Sequence, residues 1–350
     1  MSNTSASIAR TDPVTGPEVK IVSPPSFLGN GLRQKFVNAL ILLLLLALPL
    51  AAHLQGADFW VDFATRLVIL AIAAVTLNLI LGFGGMVSFG HAAFIGIGAY
   101  AVGIPAYYDY FGGWLHFPLA MLAGALFALV TGAISLRTRG VHFIMITMAF
   151  AQMMFYAIVS IEEYGGDDGL VIYGRSELPF FSIEESLNLF LLSYGSLLVI
   201  LYLCFRIVNS RFGFVLQGAK GNEARMSAVG YNVYWYRLAA YVIAGALCGY
   251  AGALLGNFTS FISPEMTDWT RSGELIFMVI LGGAASLFGP VLGAAAFLVL
   301  EEVLQIAMNA TRQGWGIYWH LPFGLLLIFA VLFLKRGLIG LFHGKERQDG

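Results

Sequence analysis

Charge is the property this chain has least of. Among its 350 residues only 11% are Asp, Glu, Lys or Arg, where an average soluble domain carries about 25%. Hydrophobic residues make up 59%, and the mean hydropathy is +0.80. This excludes an ordinary soluble domain and marks an integral membrane protein. The net charge is −1, and the basic residues are not clustered as a nucleic-acid surface requires, so no nucleic-acid partner is expected. Cysteine is nearly missing too. Cys204 and Cys248 both sit inside apolar runs, with no disulfide framework and no metal-ligand spacing.

Enzyme signatures are missing as well. Ser88, His91, His142, Glu162, Glu163, Asp167 and Asp168 have side chains suited to hydrolysis. No HExxH, GxSxG or intramembrane pair of aspartates organises them. There is no P-loop and no glycine-rich dinucleotide turn. The chain is therefore expected to be no enzyme, to bind no cofactor, and to take its energy from an ion gradient or another subunit.

What the chain does have is apolar runs near the ~20 residues that a spanning helix needs. They lie near 36–53, 66–83, 88–107, 117–136, 142–161, 188–207, 237–257, 273–287, 289–307 and 318–334. They predict an all-α polytopic bundle of about ten transmembrane helices. The number falls to eight if the junctions at Gly84-Gly85 and at 282–290 hide broken or re-entrant helices. Residues 1–32, rich in Ser, Thr, Pro and Gly, are expected to be a disordered polar tail. That tail is too long and polar to open a signal peptide, so the first span should be retained. Residues 33–341 then form the transmembrane domain, and 342–350 a short tail.

Lys and Arg placement sets the orientation. With ten spans and the N-terminus inside, only Arg66, Arg175, Arg271 and Arg312 fall outside, out of 19 basic residues. Glu162, Glu163, Asp167, Asp168, Glu177, Glu184 and Glu185 gather in one outer loop, 162–187. Both termini are expected to be cytoplasmic. The long inner loop, 208–236, contains "EARMSAVG", which predicts a short amphipathic helix with Glu223 near its N-terminus and Gly230 as the C′ stop. It reads as a solvated loop or as a docking helix for a soluble subunit.

Ion-coupled carriers normally place acidic or basic residues within their spans. Here Glu274 stands at the start of one run and Glu301-Glu302 near the outer end of another. The helix centres offer Asn78, Ser88, His91, Thr147 and Gln152, the candidates for a translocation path gated by conformational change. A carrier stays open as the alternative. The stretch "LGFGGMVSFGHAAFIGIGAY" at 81–100 is dense in glycine. Its glycines serve either close helix packing or a helix interruption that frees backbone groups beside a cavity. His91 likewise reads as a structural hydrogen-bonding group or a substrate contact. "LGGAASLFGPVLGAAAF" at 281–297 is similar to that stretch, an internal repeat of the kind that brackets transporter sites.

These residues together resemble the permease subunit of branched-chain amino acid ABC importers, of the LivM-like type. The resemblance rests on "LNLILGFGGMVSFGHAAFIGIGAYA" at 77–101, "YGGDDGL" at 164–170, "NEARMSAVGYN" at 222–232 and "SPEMTDWTRSGELIFMVILGGAASLFGPVLGA" at 263–294, and it spans roughly residues 60–341. It implies a subunit of the bacterial inner membrane, paired with a second, related permease. Two cytoplasmic ATPase subunits would bind beneath, and a periplasmic binding protein would deliver substrate. Glu223, Ala224 and Gly230, with Asn222 and Arg225 beside them, match the coupling motif. Lys220-Gly221 stand where the family usually has an Arg followed by an acidic residue. "GGAAS" at 282–286 replaces the usual GGxGS, with Ala285 at the glycine position. The implied substrates are branched-chain or related hydrophobic amino acids, because "GHAAF" is most similar to the amino-acid group. Urea, short amides and aromatic acids are the alternatives within the family.

Overall fold

The computed structural model describes residues 27–28, 32–177, 182–311, 320–333 and 337–343. The polar tails expected at 1–32 and 342–350 lie almost wholly outside these residues. The described chain is helical, with one very short β-ribbon. Helix α1 spans Leu32–Leu54. Helix α2, Asp58–Asn78, runs on into a π-helical turn, Leu79–Phe83. Helices α3 (His91–Tyr107), α4 (Gly113–Ser135), α5 (Val141–Val159) and α6 (Ser186–Val208) follow. Helices α7 (Arg211–Gly221) and α8 (Glu223–Ala228) fill the long loop before α9 (Val233–Thr259). Helices α10 (Trp269–Gly282), α11 (Gly289–Thr311), α12 (His320–Phe333) and α13 (Gly337–His343) complete the order.

Each predicted apolar run overlaps a helix, with residues 318–319 and 334 of the last run outside the described residues, but the helices are not equal. Seven among the described residues are long and apolar enough to cross a membrane: α1, α2 with its π-turn, α4, α5, α6, α9 and α11. Helix α3 has 17 residues, and α10 and α12 have 14 each. The expected count of about ten thus includes three helices shorter than a full span. Two of the three adjoin the glycine-rich junctions at 84–90 and 283–288.

Helix α2 is the central post. Of its most apolar stretch 89% is buried, against 11% for α1, which lies on the periphery. An all-round apolar sequence suits a helix with neighbours on every side, and α6, α9, α10 and α11 all pack against α2. Helices α3 and α4 lie side by side along α9, and α10 folds back on α11 as a hairpin.

The two ends of the bundle differ in charge. Helices α7 and α8, the α4–α5 turn and the start of α9 gather Arg137, Arg139, Arg211, Lys220, Arg225 and Arg237 at one end. The opposite end carries the acidic segment 162–177. Its Leu170–Val171 pairs antiparallel with Phe261–Ile262, with Leu170 opposite Ile262. Gly165, Gly166 and Gly169 all have positive φ, which accounts for the glycines of "YGGDDGL": the two tight turns there need left-handed backbone. Leu170, Ile172 and Ile262 are buried, so this ribbon closes the end of α3 and α9.

Helices approach to backbone contact along α9. A Cβ on Gly98 of α3 would fall inside the envelope of the Gly249 carbonyl oxygen, and one on Gly252 would meet the Ile95 carbonyl. Without a hydrophobic drive between helices in lipid, such contact gives association its van der Waals energy. Gly98→Ala should therefore push α3 off α9 and destabilise the protein by about 1–3 kcal/mol. Gly195 of α6 has nothing within 4 Å of a built Cβ, so Gly195→Ala should be neutral or stabilising by up to about 1 kcal/mol. Thermal unfolding of the two purified variants checks the contrast, and an unchanged midpoint for Gly98→Ala would overturn it.

Candidate functional site

The glycine-rich stretch is both interrupted and tightly packed. Helix α2 loosens into its π-turn, and residues 84–90 run irregularly before α3 starts at His91. Breaking a helix inside a membrane protein leaves backbone groups that need partners. The Gly85 N–H donates to the Leu81 carbonyl (3.1 Å) and the Met86 N–H to the Ile80 carbonyl (2.9 Å). Lys220 Nζ, from α7, donates to the Gly82 carbonyl at 2.6 Å. On the α3 side, the Phe89 N–H donates to Thr147 Oγ1 of α5 at 3.2 Å and the Ala92 N–H to Ser272 Oγ of α10 at 2.9 Å. The Ser88 hydroxyl accepts from the Gly90 N–H at 3.3 Å and lies 3.4 Å from the Tyr241 hydroxyl of α9.

Asn78 joins the two glycine-rich junctions. Its Oδ1 accepts from the Ala285 N–H at 3.0 Å, and its Nδ2 donates to the Ser286 carbonyl at 2.8 Å. The stretches that resembled each other in sequence thus meet at one end of the bundle, and α3 and α11 both run away from that end. Ala285 sits at φ +64, left-handed backbone that favours glycine. The departure from GGxGS is a strained alanine.

His91 is fully buried. The Thr76 hydroxyl donates to the Ala73 carbonyl at 2.7 Å and lies 3.1 Å from His91 Nε2. Because that hydroxyl proton is already used, Nε2 carries the ring proton and donates to Thr76 Oγ1. Nδ1 then has no partner among the described residues. Of the five candidate path residues, Asn78, Ser88, His91 and Thr147 are buried around the break, Asn78 and Thr147 bonded to backbone, His91 to the Thr76 side chain and Ser88 to the Gly90 N–H and the Tyr241 hydroxyl. Gln152 is separate, further along α5, and its Oε1 has no partner among the described residues.

The predicted short helix forms as α8. Asn222 is its N-cap, Oδ1 accepting from the Arg225 N–H at 2.9 Å. At the other end Gly230 has φ +97, its N–H reaches the Ser227 carbonyl, and the Tyr231 N–H reaches the Met226 carbonyl. This is a Schellman stop with Gly230 at C′. Glu223 is held from two sides, by Arg139 Nη2 of the α4–α5 turn and Arg237 Nη1 of α9, each at 2.8 Å. Helix α7, which sequence patterning did not single out, lies between α6 and this clamp.

A further cluster was not expected from sequence. A cavity of about 600 Å³ is lined by Arg66 of α2, Phe155 of α5, Phe297 and Glu301 of α11, and Arg271 and Glu274 of α10. Glu265, Asp268, Thr270 and His320 complete it. Arg66 Nη2 lies 3.4 Å from Glu301 Oε1, and Arg271 Nη1 lies 3.0 Å from Glu274 Oε2. The signal was an ionisable residue within, or at the margin of, each of three separate apolar runs. Only the fold brings them together. No group of side chains suited to a metal ion occurs among the described residues.

A multi-helix bundle with interrupted helices and a polar two-helix platform at one end defines a polytopic helical membrane protein. A sequence model of the family described as "Branched-chain amino acid transport system / permease component" matches residues 59–334, and the chain belongs to that family. It is 26% identical, over 92% of its length and 80% of the relative's, to the high-affinity branched-chain amino acid transport system permease protein LivM of Salmonella typhimurium. It is also 26% identical to LivM of Escherichia coli over the same shares of the two chains. A probable LivH permease of Methanocaldococcus jannaschii is 23% identical over 67% of this chain and 77% of its own. No solved structure matches.

The Asn78 bridge and the Ala285 strain make opposite predictions. Asn78→Leu leaves the Ala285 N–H and Ser286 carbonyl unpaired and should destabilise by about 1–3 kcal/mol. Ala285→Gly relieves left-handed strain and should stabilise by about 0.5–1 kcal/mol. Thermal midpoints of the purified variants decide both. A midpoint lowered by Ala285→Gly would contradict the strain assignment.

Proposed function

We propose that this chain is the membrane-spanning permease subunit of an ATP-driven ABC importer. It would form, with a second related permease, the path for branched-chain or related hydrophobic amino acids. Family membership and similarity to both LivM-named and LivH-named permeases support a paired permease. The observation that carries the mechanism is the Lys220–Gly82 bond. It ties the exposed α7–α8 platform directly to the π-turn of the broken central helix. A push on the platform by two ATPase subunits would reach the break through that bond and pass through Asn78 to the α10–α11 turn. π-turns are frequent at functional sites.

In this reading the basic end faces the cytoplasm of a bacterial cell, following the positive-inside rule. Both termini lie inside, and α3, α10 and α12 complete ten spans. Asn222, Glu223, Ala224, Arg225 and Gly230 form the coupling element. Glu223, clamped between Arg139 and Arg237, fixes the orientation of α8. Asn78, Ser88, His91 and Thr147 hold the broken helices around which access alternates, and Gln152 faces the path on α5. A binding protein meets the acidic end and does most of the substrate selection. Urea, short amides or aromatic acids are the other cargoes of this reading. The ionisable residues in the cavity keep an ion-coupled carrier as the second reading.

Uptake by the reconstituted complex should require ATP and survive collapse of the proton gradient. Gradient-driven uptake by this chain alone would instead establish the carrier. Glu223→Lys sets three cations together and should reduce copurification of the ATPase subunits while membrane insertion persists. Lys220→Met removes a charged hydrogen bond of about 1.5–3 kcal/mol. It should slow uptake about tenfold with the ATPase still bound. Unchanged uptake in both variants would remove the coupling assignment.

A further inference from the structure

Coupling at the basic end makes no use of the charged cavity. Glu274 lies eight residues before the end of α10, and Glu301 twelve residues after the start of α11. By the helical rise they are ~12 Å and ~18 Å from the glycine-rich turn, within the span of a hydrocarbon layer ~30 Å thick. Ionisable side chains at that depth are costly unless they face a water-filled or ligand-filled space. Arg66, Arg271, Glu274 and Glu301 all line this one cavity.

The geometry points to this cavity as a binding site for a zwitterionic amino acid on the translocation route, with Arg66 taking the α-carboxylate and Glu301 the α-ammonium. The assignment rests on the importer reading above. Three observations carry it. First, charges of both signs line one wall, and the Arg66–Glu301 pair is a single contact at 3.4 Å, looser than the two 2.8 Å contacts that hold Glu223. A guanidinium engages a carboxylate best with two parallel bonds, a geometry that Glu301 does not supply and a ligand carboxylate can. Second, the carboxylates Glu265, Asp268, Glu274 and Glu301 outnumber the two guanidiniums, so a bare anion meets net repulsion while an ammonium is welcomed. Third, Phe155 and Phe297 give the same cavity apolar walls for a hydrophobic side chain, the combination typical of small-molecule sites.

The test uses the full complex with its partner permease and ATPase subunits in nanodiscs, without the binding protein. Direct binding is measured for L-leucine, for 4-methylvalerate, which lacks the ammonium, and for 3-methylbutylamine, which lacks the carboxylate. Leucine should bind at least about tenfold more tightly than either analogue, the effect of one lost charge-assisted contact. Glu301→Gln should erase the advantage over 4-methylvalerate, and Arg66→Gln the advantage over 3-methylbutylamine. A merely structural role for the pair would weaken all three ligands equally. Equal affinities in the unmodified complex, or no saturable leucine binding, would overturn the assignment without any variant. ATP-dependent uptake with the binding protein present is followed in parallel. Uptake without leucine binding in the cavity removes only this site, whereas absence of ATP-dependent uptake removes the importer reading itself.

Discussion

Backbone hydrogen bonding at the two helix breaks is the constraint on which the rest of this structure depends. A membrane helix satisfies its own N–H and C=O groups, and interrupting it in lipid leaves groups that water cannot reach. This chain interrupts α2–α3 and α10–α11 at the same end and repairs both from within. Asn78 spans the two junctions, Lys220 takes the Gly82 carbonyl, and Thr147 and Ser272 receive the first N–H groups on the α3 side. The polar residues of the apolar runs are concentrated where broken backbone needs them. Their partners come from α5, α7 and α10, so the repair binds these helices into one unit.

That unit has a stiff and a less stiff part. Glycine contacts along α9 bring α3 and α4 to backbone distance, and close-packed interfaces of this kind do not deform continuously. Helix α5 is held differently. It presents Met145, Met153 and Tyr156 on an exposed face and meets the rest mainly at the Pro264–Thr267 turn, with α3 and α4 beside it. Helix α10 is short and capped by Asp268, whose Oδ1 accepts from the Thr270 N–H. Its first turn is exposed, and Asp268, Thr270 and Arg271 there line the charged cavity.

Much of this was legible in the residues. The ten apolar runs mark ten helices, the charge asymmetry maps onto the two ends of the bundle, and "EARMSAVG" forms the short helix that stops at Gly230 as expected, with Asn222 as an N-cap that sequence patterning did not assign. Local chemistry decided these features: a cap, a stop or an apolar run works within a few residues of itself. Other features had no local signature. Helix α7 reads as polar loop because its apolar residues, Val215, Leu216 and Ala219, are buried against α8, α9 and the bundle.

The sequence by itself determined that the chain lives in a membrane, which long apolar segments are helical, and which family it belongs to. Those properties follow from transfer free energy and short-range pattern, each summed along the chain. Only the tertiary structure decided what the scattered polar residues do. Asn78 and Ala285 are more than two hundred positions apart, as are Arg66 and Glu301. Whether such a pair repairs a helix break or lines a cavity depends on which helix faces come together. Packing between elements sets those faces, and no stretch of the chain carries that information alone.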